Sequence, residues 1–223
     1  MSKFGIVFVL LLLVTAGVAL AAPRSAEPGR DLPPRVAINE RLTAATGLVL
    51  FVLVAALAVT VVYISRLLSA HFLIGLLLIP PVVLKLASTG YKFGRYYTRS
   101  SDFVQAGPPP IVLRLLVAPA LVIATVAVFV TGVELWAFGL RFGTYWTDLH
   151  NLSAVAFMLT LAAHLLARFR RGGEAAIEEV SIRSSRPAFT RRSLLVASLL
   201  LGAVLAVASV LYVSPFPTSG VGA

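Results

Sequence analysis

The sequence predicts an all-α fold, a polytopic bundle of transmembrane helices, and three observations carry that expectation. Hydrophobic residues make up 59% of the 223-residue chain and charged residues only 13%. Mean hydropathy is +0.94, more apolar surface than a water-soluble domain of this size can hide. The apolar residues are also gathered into continuous runs, and a hydrocarbon core of about 30 Å takes roughly 20 helical residues to cross. Six such runs occur, at residues 4–22, 42–64, 70–86, 115–133, 149–167 and 194–213. No internal repeat is evident among them.

The first run has two readings. Lys3, a leucine-rich stretch and Ala19-Leu20-Ala21 describe a cleavable secretory signal as well as a membrane helix. Cleavage would leave Arg24, Arg30, Arg35 and Arg41 outside, against the charge bias of the rest of the chain, so an uncleaved helix with its N-terminus outside is expected. Residues 1–38 then form this helix and a Pro- and Arg-rich linker. Residues 39–170 hold a four-helix core, and residues 171–223 a basic loop and a final helix.

Orientation of the core follows from the Lys and Arg residues in the connections, which are retained on the cytoplasmic side. The four arginines just named precede the 42–64 span. Lys85, Lys92, Arg95, Arg99 and Arg114 flank the connection after 70–86, and seven arginines from Arg168 to Arg192 occupy the last one. Only Lys3, Arg66 and Arg141 are left for the other side. The 42–64 span therefore runs outward, 70–86 inward, 115–133 outward and 149–167 inward. Tyr91, Phe93, Tyr96 and Tyr97 mark the inner interface, and Trp136, Tyr145 and Trp146 the outer one. Within the 70–86 span, Pro80 and Pro81 are expected to kink the helix, and Gly75 to allow close approach of a second helix or a flat ring.

Composition excludes several functions. A formal charge of +10 would suggest nucleic acid as a partner of a soluble protein, but here the cations serve topology. The absence of cysteine rules out disulfides, thiolate-bound iron–sulfur clusters and covalently attached haem. No phosphate loop, dinucleotide fingerprint, HExxH or GxSxG pattern is present.

Three histidines remain, and all lie near span ends: His71 opens one span, while His150 and His164 bracket another. An imidazole in hydrocarbon costs free energy unless it is paired or ligated. His150 and His164 are 14 residues apart, which at 100° per residue puts them within about 40° of one helix face and about 21 Å apart in depth. Two haems, one per leaflet, would need such a pair from a single helix. His71 lies at the level of His150, so the two could take both axial positions of one haem iron, leaving no open position and suiting electron transfer.

A histidine opening one span and an H-x₁₃-H pair on a later one resemble the small di-haem cytochromes b of bacterial membranes, including the formate dehydrogenase γ subunit. The resemblance covers residues 39–170. It implies a multi-pass protein of the bacterial plasma membrane, with His71 and His150 on an outer haem b and His164 on an inner one. A redox protein and the quinone pool, or another respiratory complex, would be partners. The inner partner of His164 departs from the family: Thr43 or Ala44 stands in the run NERLTAATG where a histidine is expected. Lys85 follows His71 by the same 14 residues and could either replace that ligand or snorkel to water. Arg66 and Arg141 are candidates to neutralise haem propionates, and Tyr145, Trp146 and Asp148 to orient His150. The stretches HFLIGLLLIPP, KLASTGYKFGRYYT and GPPP also resemble uncharacterised actinobacterial membrane proteins, which adds no activity.

Two competing functions stand beside the cytochrome reading. In a proton-coupled transporter the histidines would be relay groups, but such groups usually lie near the midplane. A structural or assembly subunit of a larger membrane complex would use the extra N-terminal helix for docking.

Overall fold

The computed structural model describes residues 6–7, 10, 32–107, 111–180, 186–212 and 214–216, with backbone alone for 167–180 and 186–188. Most of the 4–22 run, and the signal-or-anchor question with it, lies outside the described residues. The described chain is helical, with no strand. Its elements are α1 (Pro34–Val62), α2 (Ile64–Tyr97), a short α3 (Ser101–Gln105), a π-helical turn (Leu113–Val117) leading into α4 (Ala118–Phe138), α5 (Tyr145–Val180) and α6 (Arg186–Val210). Five helical segments are long and apolar enough to cross a bilayer: Pro34–Val62, Ile64–Tyr97, Leu113–Phe138, Tyr145–Leu166 and Phe189–Val210. The chain is a multi-pass membrane protein.

Each helix extends past its apolar stretch at one end or both. Hydropathy marks the part of a helix that meets lipid, whereas backbone hydrogen bonding decides where the helix starts. Thus α1 begins at Pro34, where a proline in the first turn loses no intrahelical bond and presets φ. It carries Arg35, Glu40 and Arg41 before its apolar run begins.

The expected kink at Pro80 and Pro81 is not where α2 departs from helical geometry. The non-helical residue is Leu67 (φ −116°, ψ 22°), just after the Tyr63 turn that joins α1 to α2. The prolines are buried and the helix continues through them. Pro81 has no N–H for the Leu77 carbonyl, and α6 covers that carbonyl: a Cβ on Gly202 would overlap the Leu77 oxygen. The neighbouring backbone approaches where the helix's own donor is missing, and glycine permits it.

Packing follows a ring. α1 packs on α2, α2 on α4, α4 on α5, and α5 back on α1, while α6 lies outside against α2 and α1. α2 and α5 are therefore diagonal and are not among the closely packed pairs. All four ring helices feed one apolar core, in which Val54, Ala58 and Leu78 are buried against Phe51, Ile74, Phe129 and Phe157. The outward faces are apolar too: Val52, Val83, Ile123, Leu152, Leu159 and Leu200 are all exposed, as lipid-facing side chains are.

The two ends of the bundle differ. At the basic end a buried polar clamp joins α1 to α2. There the Asn39 amide donates to the Ser88 carbonyl (3.1 Å), and the Thr43 hydroxyl donates to Ser88 Oγ (3.0 Å). Nearby, Lys92 pairs with Glu40. At the opposite end the chain beyond α6 folds back over the bundle. Ser214 donates to the Trp136 carbonyl (2.7 Å), and Phe216 packs on Leu68, Leu135, Phe72 and Trp146. Gly139 ends α4 at φ 60°, and a Cβ there would meet the Pro215 carbonyl at 2.8 Å, so both its conformation and its neighbour require glycine.

Candidate functional site: a histidine pair between diagonal helices

His71 stands one turn past the Leu67 break in α2, and His150 stands in the second turn of α5. Their ring centroids are 6.3 Å apart with planes at 89°. Two imidazoles bonded to one ion at about 2 Å per nitrogen have centroids roughly 6 Å apart, so the spacing suits a shared metal.

The remaining ring nitrogens are held in matching ways. His71 Nδ1 lies 2.9 Å from Thr60 Oγ1 on α1, and His150 Nδ1 lies 3.0 Å from Thr131 Oγ1 on α4. Each threonine hydroxyl directs its proton to its own helix, Thr60 to the Leu57 carbonyl (2.6 Å) and Thr131 to the Ala127 carbonyl (2.7 Å). With its one proton on that carbonyl, each threonine accepts from the ring nitrogen. In that arrangement the proton sits on Nδ1 and the lone pair on Nε2, the form in which an imidazole binds a metal. Ser153 steadies the same corner, donating to the His150 carbonyl at 2.9 Å.

Small residues shape the space around the rings. His150 lies over Gly132 of α4, where a Cβ would come within 3.1 Å of ring carbon Cε1. Gly75, one turn below His71 on the same face of α2, opens onto free space: a methyl group there would meet no atom within 4 Å. Toward the end of the bundle the site is covered by the returning segment, Phe216 meeting Phe72 edge to face at 6.1 Å.

No group of three or more His, Cys, Asp or Glu residues that could hold a metal occurs among the described residues. A structural zinc ion would need four protein ligands. Two imidazoles suit an ion whose other positions come from a macrocycle.

The other expected residues lie apart from this pair. His164 is four turns further along α5. Lys85, at the matching level of α2, donates from its amine to the Thr43 carbonyl on α1 and rests against Gly47. Arg66 and Arg141 are exposed at the histidine end, Arg141 with its guanidinium 5.6 Å over the Phe142 ring. The expectation that Tyr145, Trp146 or Asp148 orients His150 gives way to Thr131. Tyr145 and Asp148 are not bonded to the ring, and the indole N–H of Trp146 is covered without a hydrogen-bond partner among the described residues.

Thr60 and Thr131 are the residues that sequence reasoning missed. A signal was there: Val59-Thr60 precedes Arg66 and His71, and Val130-Thr131 precedes Arg141 and His150. The order V-T, R, H thus recurs in the two helical hairpins, hidden by a longer connection in the second. Glu134 was missed as well. It is the only acid in α4, one turn beyond Thr131, and its carboxylate oxygens are covered without a hydrogen-bond partner among the described residues.

Compared with protein-family models, with curated proteins and with solved structures, the chain matches none.

Proposed function

We propose that this chain is a membrane-embedded b-type cytochrome subunit, in which His71 and His150 would hold one haem b. The observation that carries the proposal is the pair of imidazoles on diagonal helices, at one-ion spacing, each with Nδ1 held by a threonine from the adjoining helix. Haem would supply one-electron chemistry. The chain's own part is to hold two neutral imidazoles in fixed orientation, exclude water with the apolar core and the Phe216 segment, and offer Arg66 and Arg141 to propionates at the histidine end. Bis-histidine ligation suits electron transfer between a redox protein at that end and the quinone pool or a respiratory complex, in a bacterial plasma membrane. One haem is proposed. At the basic end Thr43 and Lys85 serve the α1–α2 clamp, and His164 is given no ligand role.

Glu134 favours a second reading, a proton-coupled carrier, because a covered carboxylate in a membrane helix is a candidate proton site. One experiment separates the two. Protein purified in detergent from haem-replete cells is expected to show Soret and α bands at one haem per chain, lost in His71→Ala and His150→Ala and kept in His164→Ala. Colourless protein would overturn the cytochrome reading and leave the carrier.

A further inference from the structure

The histidine end holds a group that metal ligation does not use. Glu134 is the only acid in α4, one turn past Thr131 and about 4.5 Å further along the axis at 1.5 Å per residue. Thr131 is the residue whose hydroxyl meets His150 Nδ1 at 3.0 Å. Glu134 as a whole is half-buried, but both of its carboxylate oxygens are covered by protein, and neither has a hydrogen-bond partner among the described residues.

The charged and titratable groups around it leave it unpaired. α4 packs on α2, on α5 and, at its other end, on the π-helical turn that carries Arg114. At the histidine end α2 brings Arg66 and His71 after Tyr63 of the joining turn, and α5 brings Tyr145, Asp148 and His150. Arg141 lies in the connection between α4 and α5, and Tyr212 follows α6. Arg66, Arg141, Tyr145 and Asp148 are exposed, Tyr212 donates to the Ala137 carbonyl, and the two histidines meet threonines. Stability does not ask for an acid in such a place, where an unpaired charge is costly and a leucine would pack without one. What the carboxyl group offers and leucine lacks is a place for a proton, and an ionisable residue inside a membrane helix is a functional group by default.

We infer that Glu134 is a proton site coupled to electron transfer at the histidine pair, an inference that rests on the cytochrome reading above. When one electron arrives from the redox protein, the site's charge falls by one in a medium of low dielectric, and a nearby carboxylate opposes that change. One proton from water at the histidine end then forms an O–H bond on a Glu134 oxygen, and the charges balance. On reoxidation the electron leaves, the O–H bond breaks and the proton returns to water. Glu134 lies one turn from the end of α4 at Phe138, so the proton's path to the interface is short. It acts by charge and needs no contact with either ring.

Full-length, haem-loaded protein in detergent is titrated with reductant over a pH series spanning neutrality, and reduced-minus-oxidised infrared spectra are recorded alongside. The midpoint potential is expected to fall as pH rises, by up to about tenfold in the reduction equilibrium per pH unit, which is about 59 mV for one electron. Reduction should also add the C=O stretch of a protonated carboxyl group. Both signals should be lost in Glu134→Gln, which keeps the side chain's shape, and kept in Glu134→Asp, which keeps the acid. Asp148→Asn removes an exposed acid at the same end and should leave both signals unchanged. With haem bands intact, a parent potential independent of pH, or signals that persist in Glu134→Gln, would overturn this inference and leave the cytochrome reading standing. Equal losses in Glu134→Gln and Asp148→Asn would overturn it too, because the general charge of that end would then be acting. Colourless protein would overturn both the cytochrome reading and the coupling.

Discussion

Replacing Thr60 or Thr131 by valine tests the reasoning at its narrowest point. Valine keeps the β-branched shape and removes the oxygen that accepts from histidine Nδ1 at 2.9 Å or 3.0 Å. The orphaned ring N–H then costs about 1–3 kcal/mol in an apolar site. At about 1.4 kcal/mol per factor of ten, that is roughly a 10- to 100-fold loss in haem affinity, the range found when the outer partner of a ligating histidine is removed. The imidazole also becomes a weaker donor, so ferric iron is less favoured and the midpoint potential rises. Serine at either position keeps the hydroxyl and should restore both properties. The two rings lie 6.3 Å apart and would hold one shared group, so the double valine variant should depart from the sum of the two single effects. The assay is haem titration of apoprotein in detergent followed by the Soret band, with a redox titration of the loaded protein. If both valine variants fold, bind haem within about twofold of the parent and keep its potential, the threonines do not set the ligand tautomer and the argument for a prepared metal site fails.

Three further outcomes concern other parts of the structure. Gly202→Val should separate α6 from α2 by placing a side chain on the Leu77 carbonyl, destabilising the protein by about 1–3 kcal/mol in thermal or denaturant unfolding; an unchanged midpoint would refute that contact. Ser88→Ala breaks the α1–α2 clamp at its Thr43 bond and should cost only about 0.6 kcal/mol, the mean for hydrogen bonds between membrane helices, with the histidine-end spectrum unchanged. Ending the chain after Tyr212 removes the Ser214 bond and the Phe216 contact with Trp146, so tryptophan fluorescence should become more accessible to a water-soluble quencher; equal quenching would show that the returning segment does not cover the site.

Solvent preference was legible in the sequence and backbone geometry was not. Five apolar runs located the five described spans, because transfer to lipid is a sum over side chains and needs no partner. Their ends were misjudged by several residues, since residues such as Glu40 and Tyr97 lie in helices that have left the apolar run. Helical periodicity and alternating direction put His71 and His150 at one end, which chain geometry fixes. Whether their rings would meet depended on the order of helices around the bundle. That order is set by packing of α1 on α5 and α2 on α4, contacts between residues far apart in sequence. The same packing made two of the many span threonines, Thr60 and Thr131, into histidine partners, while Thr46, Thr125 and Thr160 bond only to their own helices. The residue of α2 with non-helical backbone angles is Leu67, beside the Tyr63 turn, and not Pro80 or Pro81. Residence in lipid and the place of each histidine along its helix are local properties, summed or counted residue by residue. Which groups face one another is not local: it waits on the contacts between helices, and those form only when the bundle closes.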